Sequence, residues 1–175
     1  MKIRAASLLT IALALLATAG AYAVGGEPDL SRQSEIARKG ADVMPFDLEK
    51  TLHVFTKTEH GGLQQVTAKD AADRDQIGLI RRHLQDLAVR FGRGDFSGPA
   101  AIHGDAMPGL ARLRAAQPGE LTVIYGELAD GAELRYSSRS PESVGAIHNF
   151  FDAKLSDNGG HAQAGHARHH TPAGR

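Results

Sequence analysis

Thr51-Leu52-His53-Val54-Phe55-Thr56-Lys57, then Gly61-Gly62, then Leu63-Gln64-Gln65-Val66-Thr67-Ala68 is the stretch on which the fold turns. Two runs rich in β-branched and aromatic residues, joined by a glycine-containing link, read as an antiparallel hairpin. Ile77, Ile80, Leu84, Leu87, Ala88 and Phe91 follow at three- and four-residue steps, which is one face of an α-helix. Asp70 or Asp73 supplies a carboxylate that can accept the free amide hydrogens of its first turn, and Gly92 and Gly94 stop it.

The same order recurs downstream. Leu121-Thr122-Val123-Ile124-Tyr125 and Ala132-Glu133-Leu134-Arg135-Tyr136-Ser137 form a second hairpin around Asp130-Gly131. Ser140-Pro141-Glu142 then opens a helix with a serine cap and a proline in its first turn, its apolar stripe running Val144, Ile147, Phe151 and Leu155. Aligning the halves pairs Ile77 with Val144, Ile80 with Ile147 and Leu84 with Phe151. The expectation is an α+β fold: duplicated β-β-α units, 51–92 and 120–156, forming a four-stranded antiparallel sheet with both helices packed on one face. The connection 93–119 is long and rich in glycine and proline, a place where function often sits, with a helical turn expected at 110–114.

Outside this single domain of 41–158, both ends have their own character. Lys2 and Arg4 precede the apolar run from Leu8 to Leu16, and Ala21-Tyr22-Ala23 is the small-x-small pattern of a signal-peptidase site. Residues 1–23 therefore read as a cleaved secretory signal, which places the chain in the periplasm or outside the cell. The run is short of the roughly 20 apolar residues of a spanning helix, so no stable membrane anchor is expected. Residues 24–40 read as a polar leader lying over the domain, with a short helix from Ser31 to Lys39 ending at Gly40. Met44-Pro45-Phe46 begins the domain, with Pro45 holding Met44 extended. From 159 to 175 the composition turns to His, Ala and Gly, and a disordered tail is expected.

Charge and composition exclude several classes. Without the signal the chain has two fewer basic than acidic residues, which argues against a nucleic-acid surface. It contains no cysteine, so thiol catalysis, thiolate metal sites and redox pairs are excluded. Serine stands in no nucleophile-elbow pattern, and phosphate-binding glycine loops and HExxH pairs are absent. Asp73, Asp95, Asp105 and Asp152 are the candidate general bases, with helix capping as the simpler role for Asp73 and Asp95.

Histidine is the residue type that points to chemistry. His161, His166, His169 and His170 crowd the tail, and short His-rich tracts are a compositional sign of metal binding. In the 93–119 loop His103 and Met107 stand four residues apart, and an imidazole with a thioether but no thiolate favours copper over magnesium or calcium. Met44 and Met107 are equally suited to filling gaps in the core. His53 shares a strand face with Phe55, and His83 and His148 sit at the margins of their helical stripes. These positions suit either a converging site or histidines bonded to backbone. Asp95 and Asp105 are candidate carboxylates behind the ligands.

The stretches Met44–Leu48, Gln76–Leu84, Ile102–Leu110 and His148–Ala153 resemble a family of small exported bacterial proteins that often end in a histidine-rich tail, some labelled aspartate carbamoyltransferase. The resemblance covers about residues 40–160. The Ser-Thr-Arg-Thr phosphate loop of that enzyme has its nearest counterpart in Ser137-Ser138-Arg139-Ser140, which departs from it, so the activity is not carried over. Three functions follow in order: a periplasmic metal-binding protein, copper before zinc, that buffers or delivers the ion; a non-catalytic module for a small molecule or protein; and a small Asp/His enzyme. An apolar, unfilled cavity beside the 93–119 loop would favour the second.

Overall fold

A computed structural model of the chain describes residues 29–166. The signal segment 1–23, and His169 and His170, lie outside the described residues. The element order is α1 (Leu30–Val43), β1 (Thr51–Thr58), β2 (Gly61–Ala68), α2 (Arg74–Gly92), α3 (Ser97–His103), α4 (Leu110–Arg114), β3 (Leu121–Leu128), β4 (Gly131–Ser138), α5 (Pro141–Asn158) and β5 (Ala162–Ala164).

The strands form one mixed sheet in the order β3-β4-β2-β1-β5. Both expected hairpins are present, Thr51 facing Ala68 in the first and Leu121 facing Ser138 in the second. The hairpins join antiparallel through β2 and β4, where Gln64 faces Leu134. The four-stranded antiparallel sheet needs correction: β5 adds a fifth strand, parallel to β1, with His53 opposite Ala162 and Phe55 opposite Ala164. Period-2 burial fixes the faces, since His53, Phe55, Gln64, Val66, Leu134 and Tyr136 are all buried. Tyr136 touches both Phe91 of α2 and Phe151 of α5, so both long helices cover this face.

α2 keeps the predicted stripe, burying Ile77, Ile80, Leu84, Leu87 and Phe91 behind an Asp73 cap that accepts from Gln76 N at 3.1 Å. α5 is capped by Ser140 as expected, yet its buried face runs Ser143, Ile147, Phe150 and Asp157, with Ala146 and Phe151 beside them. Val144 and Leu155 are only partly buried. The stripe read from the sequence is therefore turned, because the broad apolar face of α5 admits two phases and packing against β2 and β4 selects one.

The 93–119 connection is more ordered than a glycine- and proline-rich loop implies. α3 occupies its first part and ends at His103, with Gly104 (φ +90°) turning the chain. Gly109 (φ +81°) sits where a Cβ would strike the Ala146 carbonyl, so α4 starts in direct contact with α5.

The leader segment folds over the domain as α1. It runs through Gly40 to Val43, because Gly40 is buried under Met44 and Leu48, where a bare Cα fits the gap. Met44 ends it in the extended conformation that Pro45 imposes. The tail is corrected at its near end: residues 159–164 are a 3₁₀ turn and β5, ordered because β1 offers a free edge whose hydrogen-bonding groups they pair.

Candidate functional site

Between the covered sheet face and the helices lies a cavity of about 180 Å³. Its floor is His53 of β1 with Gln64 and Val66 of β2. Its walls are His83, Leu84, Leu87 and Phe91 of α2, and Pro99, Ile102 and His103 of α3. Lys154 and Asn158 of α5 and Phe46 complete it, and Val43, Asp86 and Arg90 stand at the opening. The sequence builds this hollow directly. A histidine takes the place of an aliphatic residue on β1, and Lys154, half-buried, stands seven residues after Ile147 on the side of α5 that faces the hollow.

The polar groups are arranged in two sets. Asp157, 5% exposed, is held by Arg32 of α1, whose Nε and Nη2 donate to its two oxygens at 2.6 and 2.7 Å. The second of those oxygens also accepts from His103 Nδ1 at 2.8 Å. Burial, with a lesser effect from Lys154, holds the His103 ring down to about 4 despite Asp157. The ring is thus neutral at pH 7, with its proton on Nδ1 and a lone pair left on Nε2. Burial works against ionisation of Asp157, but the Arg32 and His103 bonds outweigh it and keep the carboxylate below its usual range. Arg32 Nη2 also reaches the His103 carbonyl at 3.2 Å, tying α1 to the end of α3.

The second set is unpaired. Burial pushes His53 down to about 3 and His83 down to about 4, so both are neutral, and His83 packs edge-on against Phe46 at 5.5 Å. His53 Nε2 is buried without a partner among the described residues. Lys154, pushed down to about 8 by burial, lies with Nζ 5.1 Å from the centre of the Phe150 ring and makes no ion pair or hydrogen bond among the described residues. Deeper on the sheet, Gln64 Oε1 accepts from the Tyr136 hydroxyl at 2.8 Å, which spends its oxygen.

Around this cavity the structure brings together three of the predicted site residues, His53, His83 and His103, while Met107, His148, His166, Asp95 and Asp105 lie elsewhere and His161 meets His53 at a smaller void. Met107 is 4% exposed in the hydrophobic core and borders a separate surface groove with Asn149 and Ala146, so it fills space and does not share a site with His103. His148 Nε2 contacts the Thr58 and Gly61 carbonyls at 3.0 and 2.9 Å, closing the first hairpin. His161 faces Glu49 at 3.3 Å, and His166 is exposed. Asp95 and Asp105 are not behind the histidines: Asp95 pairs with Arg90 at 2.9 Å and caps Ser97, and Asp105 pairs with Arg114 at 2.7 Å. Both sit on exposed turns where arginines were closer. Ser140, in the fragment compared with a phosphate loop, is the α5 cap.

Sequence reasoning missed Lys154, Asp157 and Arg32. The signal existed for two of them. Phe150, Lys154 and Asp157 step by four and three along one helical face, so a cation and a carboxylate continue an apolar stripe. Among the described residues, no group of three or more His, Asp or Glu is placed to hold a metal ion, and no helix is long and apolar enough to cross a membrane. No family model, curated protein or solved structure matches the chain.

Proposed function

We propose that this chain is an exported, non-catalytic binding protein that holds a small organic molecule in the cavity between α2, α3, α5 and the sheet. The observation that carries this reading is the cavity itself, with mostly apolar walls and a few convergent polar groups, which is the usual make-up of a ligand site. About 150 Å³ of apolar void is enough to hold a benzene ring, so its volume fits a single ring or a short branched chain. A well-packed interior carries few voids larger than a water, and a hollow of this size costs stability unless it is used. The strand-strand-helix order of both halves supports descent from a duplicated unit.

The test is a thermal-shift and calorimetric comparison of the protein with Val43→Trp, using benzoate, benzamide and benzyl alcohol as probes. Val43 is 41% exposed at the cavity opening, so an indole there plugs the entrance at little cost to the core. Saturable one-to-one binding lost in Val43→Trp is expected. Absence of binding by all three probes overturns the reading.

A second reading, capture of copper or zinc, is favoured by one observation. His53 Nε2 and His161 Nδ1 are both buried without a partner among the described residues, and the two rings line a common void of about 10 Å³. His161 Nε2 faces Glu49, which leaves the Nδ1 lone pair free, the arrangement of a carboxylate behind a metal-bound imidazole. Competition titration with Cu(I) and Ag(I), on the protein and on His53→Phe, tests it. Tight stoichiometric binding that disappears in the variant is expected, and unchanged binding assigns the metal to the tail.

A further inference from the structure

We infer that the cavity selects an organic anion, a monocarboxylate with a compact apolar body, and that its carboxylate sits against the Lys154 ammonium. This rests on the reading of the cavity as a ligand site and adds the chemistry of the ligand.

Among the described residues the charged groups around the hollow pair with one another, except for Lys154. Lys154 enters on α5 and carries an ammonium with no carboxylate or hydrogen-bond acceptor on it among the described residues, only the face of Phe150 at 5.1 Å. The acidic groups around the cavity are already engaged. Asp157 is bound on both oxygens by Arg32 and His103. Asp86 lies at the opening, largely exposed and 3.7 Å from Arg90. His53, His83 and His103 are neutral imidazoles, so they neither add to nor cancel the charge of Lys154. Among the described residues the Lys154 ammonium is left without a direct acceptor, beside walls formed by Phe46, Leu84, Leu87, Phe91 and Ile102. A half-buried ammonium with no direct acceptor is costly, even with Asp157 in its field, and a bound anion lowers that cost, whereas a neutral ligand of the same shape leaves it standing.

The number of charges and the space narrow the class. A carboxylate matches a single ammonium, and its planar head leaves the second oxygen for a neighbouring donor. A phosphate dianion brings a second charge for which the interior offers no second cation, since Arg90 is held at the opening by Asp95 and Ser97. The apolar walls then favour an aromatic ring or a branched chain of similar bulk behind the carboxylate.

Calorimetric titration of the full chain with benzoate and with its neutral isostere benzamide, on the protein and on Lys154→Met, provides the test. Benzoate is expected to bind at least tenfold more tightly than benzamide, and Lys154→Met is expected to abolish that preference while keeping benzamide affinity. Equal binding of the two probes, or a benzoate preference that survives in Lys154→Met, overturns the inference and leaves the cavity reading intact. Binding of neither probe overturns the inference, and failure of benzyl alcohol as well overturns the cavity reading. Lys154→Gln repeats the measurement with a polar side chain should methionine fill the cavity, and circular dichroism of each variant verifies the fold.

Discussion

Asp157 shows how one side chain organises a site. It is a carboxylate on the buried face of a helix, tolerable only because Arg32 and His103 satisfy both oxygens. Asp157→Ala leaves His103 Nδ1 without an acceptor and Arg32 without its anchor. Equilibrium urea unfolding is expected to show a loss of about 2–4 kcal/mol, against less than about 1 kcal/mol for Asp95→Ala, whose ion pair is on the surface. The neutral histidines define a pH window. His83 and His103 stay unprotonated in the folded chain down to about 4, while in the unfolded chain they take up protons near 6.5. The unfolded state then binds more protons, so stability is full above pH 6.5 and falls as the pH drops toward 4, by up to about 1.4 kcal/mol per pH unit for each ring. Asp157, held low, adds its own loss only further down, below the ordinary carboxylate range. Urea midpoints at pH 7.5, 6 and 5 check the slope, and His83→Phe is expected to flatten it.

Elements carry predictions of a different kind. β5 is three residues long, yet it covers the β1 edge next to His53, and beyond it Gly165 N donates to the Phe55 carbonyl at 2.9 Å. A chain ending at Gly160 uncovers that edge and is expected to be less stable by about 1–2 kcal/mol and to self-associate. A chain ending at His166 retains β5 and is expected to show neither the loss of stability nor the self-association, and sedimentation with thermal melts separates the two chains. At the other end of the long connection, Gly109→Ala meets a positive φ and the Ala146 carbonyl at once. A loss of at least about 1–2 kcal/mol is expected, measured by urea unfolding. The element most legible in the sequence was α2, where strict spacing and an aspartate cap leave one phase. α5 was legible as a helix but not in rotation. Phe150 and Phe151 are adjacent, and only the sheet decides which neighbours complete the stripe.

At the scale of the whole molecule, the cavity couples ligand to stability. A ligand at about 100 times its dissociation constant adds about 2.7 kcal/mol, which for a domain of this size is a rise of roughly 5–10 °C in the melting midpoint. Differential scanning calorimetry with benzoate checks the figure, and Val43→Trp is expected to melt at the same temperature with and without it. Strand composition, apolar spacing, side-chain capping and the steric effect of proline gave the hairpins, the α2 stripe, the caps at Asp73 and Ser140, and the extended turn at Met44-Pro45. Each depends on neighbours within a few residues, so these were set by the sequence by itself. The fifth strand, the order within α3 and the pairing of Arg32 with Asp157 join segments far apart in the chain. No local spacing encodes such contacts. The same holds for the site: three histidines and a lysine from four elements meet around one hollow because the helices close over a single sheet face, and only that closure decided which of the described histidines share a space.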